Sequence, residues 1–262
     1  MMRKSRFRTI WISDVHLGVK SCKAEFLLDF LRSSDCDQLY LVGDIVDFWY
    51  MPRGRRWLDS HNQVLQNLFE KSNNGTRVVY IPGNHDELAR QYAGLFFGGI
   101  EILPHLIHET ADGRRLLVSH GDEFDNAVKC GRLLEWIGDC GYNFLLFANH
   151  IINFIRRRLN YPYWSLANFL KQHIGGIADY IARFEQAAAH EAARQNLDGI
   201  ICGHIHKPQL REIGGILYCN DGDWVESCTA LVEHQDGQLE IIHWTERTVI
   251  MLQERRVRPI AA

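Results

Sequence analysis

The sequence predicts an α/β fold with a helical insertion, and three observations indicate it. Apolar runs of strand length alternate with stretches of helical period in the first half of the chain. Five strand-like runs end in short polar motifs, the position where α/β sheets bind ligands. Across 262 residues, 46% hydrophobic and 23% charged residues are ordinary values for a globular protein, which excludes disorder, collagen and simple coiled coils.

The predicted elements follow one another in strand–helix–strand order. In chain order they are a strand at 7–13, a helix at 22–33, a strand at 38–42, a helix at about 58–72, and strands at 77–82, 115–118 and 199–202. This alternation implies right-handed crossovers and a parallel sheet. Between about 209 and 244, short strand signals are separated by Gly-Gly and Asp-Gly pairs, which predict an antiparallel meander.

The stretch from 125 to 195 has a helical period, so we predict a single domain over 1–262 with a helical insertion there. Its apolar run, 144–155, is too short and too polar to span a bilayer. Three arginines, 156–158, and an aromatic cluster follow that run. Two interpretations stay open: a helix packed on the core, or a lid that shelters acyl chains or rests on a membrane surface.

Cysteine usage and charge indicate the class of protein. The seven cysteines contain no C-x-x-C pair, which favours free thiols in a reducing cytosol. The net charge of −3 and the lack of an extended basic groove argue against a nucleic-acid partner. The N-terminal residues lack an apolar signal core, so we expect a cytoplasmic protein that can contact the inner face of the membrane. The sequence does not indicate the oligomeric state.

Five strand ends carry residues that suit a metal site. The motifs are Asp14-Val15-His16, Gly43-Asp44-Ile45-Val46-Asp47, Gly83-Asn84-His85-Asp86, His120-Gly121-Asp122 and Gly203-His204-Ile205-His206. Carboxylate, imidazole and amide donors suit Mn, Fe, Zn or Mg. Seven ligands are too many for one ion, whereas two ions that share a carboxylate fit the number. No Ser or Cys stands in a nucleophile context, so water is the expected nucleophile.

In these five blocks, which run from residue 13 to 206, the sequence resembles the calcineurin-like metallophosphoesterases. The resemblance implies a four-layer α/β/β/α sandwich and a hydrolase that uses two divalent metal ions. Mn²⁺ is the expected ion, with Fe, Zn or Mg as alternatives. The segment 220–227 and the helical insertion resemble a narrower branch, the UDP-2,3-diacylglucosamine diphosphatases of lipid A synthesis.

The resemblance also implies a role for each residue of the motifs. One ion would be held by Asp14, His16 and His206, and the other by Asn84, His120 and His204, with Asp44 bridging the two. His85 would lie over the phosphate and donate a hydrogen bond or proton, with Asp86 as its orienting partner. Asp47 would hydrogen-bond a ligand histidine or a loop.

Four residues of the insertion are predicted to contact substrate, namely Ser165, Asn168, Lys171 and Arg157; capping and solvation are the alternative. The expected reaction cleaves UDP-2,3-diacylglucosamine, or a similar lipid-linked nucleotide sugar, to UMP and a lipid phosphate. The alternative is a soluble, broad-specificity phosphodiesterase or nucleotidase without a lipid substrate. His85 keeps that alternative open, because the narrower branch carries Arg at this position. A non-catalytic scaffold is disfavoured, since all seven ligand positions are intact.

Overall fold

A computed structural model describes residues 4–49, 57–128 and 175–245 of the chain. The strands are β1 Ser5–Ile12, β2 Ser34–Val42, β3 Arg77–Ile81, β4 Phe96–Phe97, β5 Ile100–Ile102, β6 Leu106–Glu109, β7 Arg115–Val118, β8 Gly199–Cys202, β9 Gln209–Ile213, β10 Ile216–Asn220, β11 Thr229–Glu233 and β12 Leu239–His243. The helices are α1 Ala24–Ser33, α2 Asp59–Asn73 and α3 Gly175–Arg194, with 3₁₀ helices at Glu87–Tyr92 and Asp122–Val128.

The strands form two mixed sheets. The first has the order β12-β11-β1-β2-β3-β5-β4, with β1, β2, β3 and β5 parallel. The second has the order β6-β7-β8-β10-β9, with β7, β8 and β10 parallel. One apolar cluster lies between the sheets, a second lies under α1 and α2, and a third lies under α3. The predicted α/β/β/α sandwich is therefore confirmed.

The central strands are apolar on both faces because each face of the sheet is covered. In β1, Ile10 and Ile12 pack toward α1 and α2, whereas Trp11 packs between the sheets. Tyr40 and Val42 of β2 also lie between the sheets. Strands that are buried on both faces have continuous apolar sequences. Full burial of each large apolar side chain contributes about 1.5–3 kcal/mol to the free energy of folding.

The C-terminal strands differ from the predicted meander. The hairpin of β9 and β10 extends the second sheet, whereas the hairpin of β11 and β12 returns to the first. The prediction of one meander is therefore wrong. Alternation of apolar and polar residues with a period of two indicates that a segment is a strand, but it does not indicate which sheet the strand joins. The strands β4, β5 and β6 were not predicted, because they lack the continuous buried apolar run that marks β7 and β8, which are equally short.

The described part of the predicted insertion contains α3 and the end of the second 3₁₀ helix. Residues 129–174 lie outside the described residues, so the insertion over 125–195 and its apolar run stay predictions. Among the helices that the structure describes, none combines the length and the apolar character needed to cross a bilayer.

Candidate metal centre

The five predicted motifs directly follow β1, β2, β3, β7 and β8, at the carboxyl ends of strands from both sheets. Contacts between the sheets show that the motifs converge. The backbone N–H of His204, after β8, donates to Asp14 Oδ2, after β1, at 2.9 Å. The Nδ1 atom of His120, after β7, lies 2.9 Å from the carbonyl oxygen of Val42 in β2. One site therefore receives residues from both halves of the sandwich.

The loops after these strands have an unusual backbone. Asp14, His16, Asp44, His204 and His206 have φ values of 50°, 52°, 54°, 67° and 49°. Non-glycine residues seldom adopt positive φ, because each such residue costs about 1–3 kcal/mol and persists only where the surroundings impose the conformation. Hydrogen bonds between the first two loops impose it here, since Asp14 N donates to Gly43 O at 3.0 Å and His16 N to Asp44 O at 2.8 Å. Such strain is typical of functional sites.

Asp14, His16 and His206 form one group of possible ligands. The His206 Nε2 atom lies 3.0 Å from Asp14 Oδ1, and the His16 Nε2 atom lies 3.9 Å from the same oxygen. Although His206 is this close, the buried Oδ1 of Asp14 accepts no hydrogen bond of normal geometry from the described residues. A carboxylate oxygen and an imidazole nitrogen this close together fit two ligands of one cation, whose bonds to such atoms are about 2.0–2.2 Å long.

A second group is centred on Asp44 and His120. The His120 Nε2 atom lies 3.5 Å from Asp44 Oδ2 and 3.3 Å from Asn84 Oδ1. With Nδ1 donating to the Val42 carbonyl, the ring can direct an Nε2 lone pair toward these oxygens once a metal ion replaces the Nε2 proton. Asp44 Oδ1 accepts a hydrogen bond from the backbone N–H of His85 at 2.8 Å. The other oxygen, Oδ2, is therefore the one that both groups of possible ligands can share. The nitrogen of His120 and the oxygens of Asp44 and Asn84 can all bind a metal ion, so their proximity favours a cation between them.

The protonation equilibria show how the buried charges interact. Burial alone would raise the pKa of Asp14 and Asp44, but the nearby histidines, chiefly His206 for Asp14 and His120 for Asp44, hold both below the usual range. Burial alone would lower the pKa of His16, but the hydrogen bond to Asp47 and the charges of Asp44 and Asp14 raise it to about 9. In the metal-free site His16 is therefore protonated at neutral pH, and metal binding should release its proton.

Asp47 connects two histidines of the site. Its Oδ2 atom lies 3.0 Å from Nδ1 of His16 and 2.9 Å from Nδ1 of His85. Burial alone would raise the pKa of Asp47, but the hydrogen bonds from His16 and His85 lower it. The indole of Trp49 packs on His85 with ring centroids 4.2 Å apart. The position of the His85 ring is therefore set by Asp47 and Trp49, and the role of Trp49 was not foreseen from the sequence.

The prediction that Asp86 orients His85 is wrong. The Asp86 side chain is fully buried and accepts hydrogen bonds from the backbone N–H groups of Ile45 at 2.7 Å and Gly83 at 2.5 Å. It also accepts one from Asp44 N at 3.2 Å. Adjacent side chains in this turn point to different surroundings, so Asp86 holds the loop after β2 while His85 contacts Asp47.

A second partner that was not foreseen from the sequence contacts His204. The Nε2 atom of this ring lies 2.9 Å from Asp125 Oδ2, and Tyr180 Oη donates to Asp125 Oδ1 at 2.5 Å. Burial raises the pKa of Asp125, but the hydrogen bond from His204 outweighs it and lowers the pKa. With Nε2 engaged, Nδ1 is the atom of His204 that can bind a metal ion. The only signal in the sequence is the acidic stretch after His120.

The four predicted substrate contacts, Ser165, Asn168, Lys171 and Arg157, lie outside the described residues.

Gly83 shows how tightly the described site is packed. A Cβ atom at this position would lie 2.3 Å from Asp44 Oδ1 and 2.6 Å from a ring carbon of His120. Glycine is needed there because the backbone touches both side chains.

Comparison with known proteins agrees with this geometry. The sequence pattern of the calcineurin-like phosphoesterases matches residues 7–208. The chain is 29% identical to the UDP-2,3-diacylglucosamine hydrolase of Neisseria gonorrhoeae, over 85% of this chain and 90% of that protein. It is 28% identical to the protein of that name from Xanthomonas campestris pv. campestris, over 87% and 96%, and 25% identical to that from a Shewanella species, over 88% and 95%. The chain therefore belongs to the calcineurin-like phosphoesterase family and is a metal-dependent phosphoester hydrolase.

Proposed function

We propose that the chain is a dinuclear-metal hydrolase in which Asp44 bridges two divalent cations. The observation that carries this proposal is the position of Asp44 Oδ2, 3.8 Å from His16 Nε2 and 3.5 Å from His120 Nε2. This oxygen is shared between the two groups of donor atoms. Asp14, His16 and His206 would hold one ion, and Asn84, His120 and His204 the other.

The donor set fits Mn²⁺, with Fe, Zn or Mg as alternatives, because it contains only nitrogen and oxygen atoms. Two such cations, when bound, supply a Lewis acid for phosphoryl oxygens and lower the pKa of water. The side chains around them keep the ligands in place. Asp47 orients the His16 ring from its Nδ1 side, which directs Nε2 toward Asp14 and Asp44.

His85 is proposed to donate a hydrogen bond or a proton to the phosphoryl oxygen or the leaving group. Asp47 supports this role, because a carboxylate 2.9 Å from Nδ1 fixes the orientation of the ring. The stack with Trp49 restricts rotation of the same ring. The attacking group is water, so the reaction needs no covalent intermediate on the enzyme.

The proposed substrate is UDP-2,3-diacylglucosamine or a similar lipid-linked nucleotide sugar, cleaved at the pyrophosphate to UMP and a lipid phosphate. The names of the three relatives support this choice. The apolar and basic composition of residues 144–171 also supports it. We propose that Ser165, Asn168, Lys171 and Arg157 contact this substrate, and that the protein acts at the cytoplasmic face of the membrane.

One observation favours a second candidate, a broad-specificity phosphodiesterase that acts on small soluble substrates. His85 is the residue that general members of the family carry, and it is fully integrated into this site through Asp47 and Trp49. The narrower branch carries Arg at this position. The two candidates share the metal centre and differ in the substrate alone.

A comparison of two substrates tests both levels of the proposal. The metal-stripped chain is assayed with and without Mn²⁺ on UDP-2,3-diacylglucosamine in detergent micelles and on bis(p-nitrophenyl) phosphate. Mn²⁺-dependent activity on either substrate supports the metal centre, and full activity without metal refutes it. A kcat/KM at least 100-fold higher for the lipid substrate supports the first candidate, and the reverse ratio supports the second.

The proposed contact of Lys171 is tested with the same pair of substrates. Lys171→Ala should raise KM for UDP-2,3-diacylglucosamine about 10–150-fold and leave bis(p-nitrophenyl) phosphate hydrolysis unaffected, because removal of one charge-assisted contact costs about 1.5–3 kcal/mol. An unchanged KM for the lipid substrate would refute the contact.

A further inference from the structure

Three buried side chains form a hydrogen-bonded chain that ends on Asp14. Ser13 Oγ lies 2.6 Å from Asp14 Oδ2 and 2.6 Å from Asp221 Oδ1. All three residues are at most 1% exposed. Asp221 follows β10, in the second sheet, whereas Ser13 and Asp14 follow β1 in the first. The contact therefore crosses between the sheets directly beside the proposed metal centre.

The number of hydrogen atoms available to these three side chains limits their protonation state. A serine hydroxyl has one hydrogen to donate, yet carboxyl oxygens lie 2.6 Å away on both sides of Ser13 Oγ, closer than its third neighbour, the carbonyl oxygen of Gly222 at 3.1 Å. If both carboxyls were ionised, one of these contacts would join two acceptors without a proton. Contacts of this length are normal for O–H···O hydrogen bonds, so a second proton is required. Asp14 faces the cation site, which leaves Asp221 as the carrier of that proton.

The two oxygens of Asp14 have different surroundings. Oδ2 accepts from Ser13 Oγ and from His204 N, at 2.6 and 2.9 Å. Oδ1 accepts no hydrogen bond of normal geometry from the described residues and lies 3.0 Å from His206 Nε2. Gly203 allows this arrangement, because a Cβ atom there would lie 2.2 Å from Ser13 Oγ and 2.4 Å from Asp14 Oδ2. Asp14 can therefore offer only Oδ1 to a cation.

We propose that Asp221 is a neutral carboxylic acid that donates to Ser13 and, through Ser13, positions Asp14 as a single-oxygen metal ligand. Asp221 is a positioning residue, and its role rests on the proposed function of Asp14. Burial raises the pKa of Asp221 well above its usual range. The remaining oxygen of Asp221, Oδ2, is buried and has no hydrogen-bond partner among the described residues, as suits a group without charge.

Substitutions that keep or remove the donor distinguish a neutral acid from a carboxylate. Mn²⁺ binding to the metal-stripped full chain is measured by EPR titration for wild type, Asp221→Asn, Asp221→Ala and Ser13→Ala. The amide of Asp221→Asn can still donate to Ser13, so its affinity should stay within about threefold of wild type. Asp221→Ala and Ser13→Ala should bind about 10–100-fold more weakly, as removal of a residue that orients a ligand usually does.

Two results of the titration would overturn the proposal. These are a loss greater than threefold in Asp221→Asn, which would mean that the negative charge matters, and a loss smaller than threefold in Asp221→Ala. Infrared spectra at pH 8 test the proton directly and without metal. The difference between wild type and Asp221→Asn should contain the carbonyl stretch of a protonated carboxyl, and its absence would overturn the proposal even if Asp221→Ala does not fold. If wild type binds no Mn²⁺, the proposed function fails, and the infrared result still decides the state of Asp221.

Discussion

The buried carboxylate of Glu233 joins the two sheets, and its protonation should cost about 3 kcal/mol of folding free energy. Glu233 lies on β11 of the first sheet and is 0% exposed. It accepts from Arg8 Nη1 at 2.6 and 2.7 Å, Thr9 Oγ1 at 2.7 Å and Ala111 N at 2.7 Å. Nε2 of His108, on β6 of the second sheet, lies 3.0 Å from the same carboxylate. These contacts stabilise the charged form.

The magnitude follows from the pKa of this group. Burial alone would raise the pKa of Glu233, but the hydrogen bonds from His108, Thr9, Ala111 and Arg8 outweigh burial and lower it from 4.5 to about 2. A difference of about 2.5 between the unfolded and folded pKa corresponds to about 3 kcal/mol. Because the folded pKa is the lower one, this stabilisation is complete well above pH 4.5 and is lost as the pH falls toward 2. About 1 kcal/mol should already be lost at pH 3.5.

Urea unfolding of wild type and Glu233→Gln at pH 7, 5 and 3.5 tests this reasoning. The variant should be about 3 kcal/mol less stable at pH 7, and the gap should shrink by about 1 kcal/mol at pH 3.5, because only wild type loses a charge. Asp35→Asn is the matched control, since Asp35 pairs with Lys4 at 2.9 Å but both side chains are about half exposed. A gap that stays constant from pH 7 to 3.5 would refute the depressed pKa.

Three further predictions concern the metal centre. Asp47→Ala should lower kcat about 100-fold without unfolding the chain, because it removes the partner of His16 and His85 together; a kcat within threefold of wild type contradicts this role. Asp125→Ala should weaken one of two Mn²⁺ sites about tenfold in a titration, since His204 loses its Nε2 partner, and equal affinities for variant and wild type would exclude it. Gly83→Ala should abolish binding of at least one ion, measured as metal content after dialysis, because the added Cβ would lie 2.3 Å from Asp44 Oδ1; a content of two ions would show that the site can adapt.

Sequence reasoning succeeded where the information is local. The strands that precede Asp14, Asn84 and His120 could be predicted because each is a short apolar run that ends in a polar turn, and the structure has a strand at each place. It failed for the partners of two side chains, those of His204 and Asp86. His204 contacts Asp125, 79 positions away in the chain, and no spacing rule connects two such residues. Asp86 stands next to His85 in the sequence but holds backbone amides of another loop.

The order of strands and helices and the polar residues at the strand ends can be predicted from the sequence, because hydrophobic periodicity and turn-forming residues act over a few neighbouring positions. The division of the strands into two sheets, and the return of the hairpin of β11 and β12 to the first, depend on long-range packing and are seen only in the folded protein. The same holds for the position of Asp47 between two histidines and for the contact of Asp221 with Ser13 across the sandwich. These contacts join loops that are distant in the chain, and they form only when the two sheets pack face to face and bring the carboxyl ends of their strands to one place.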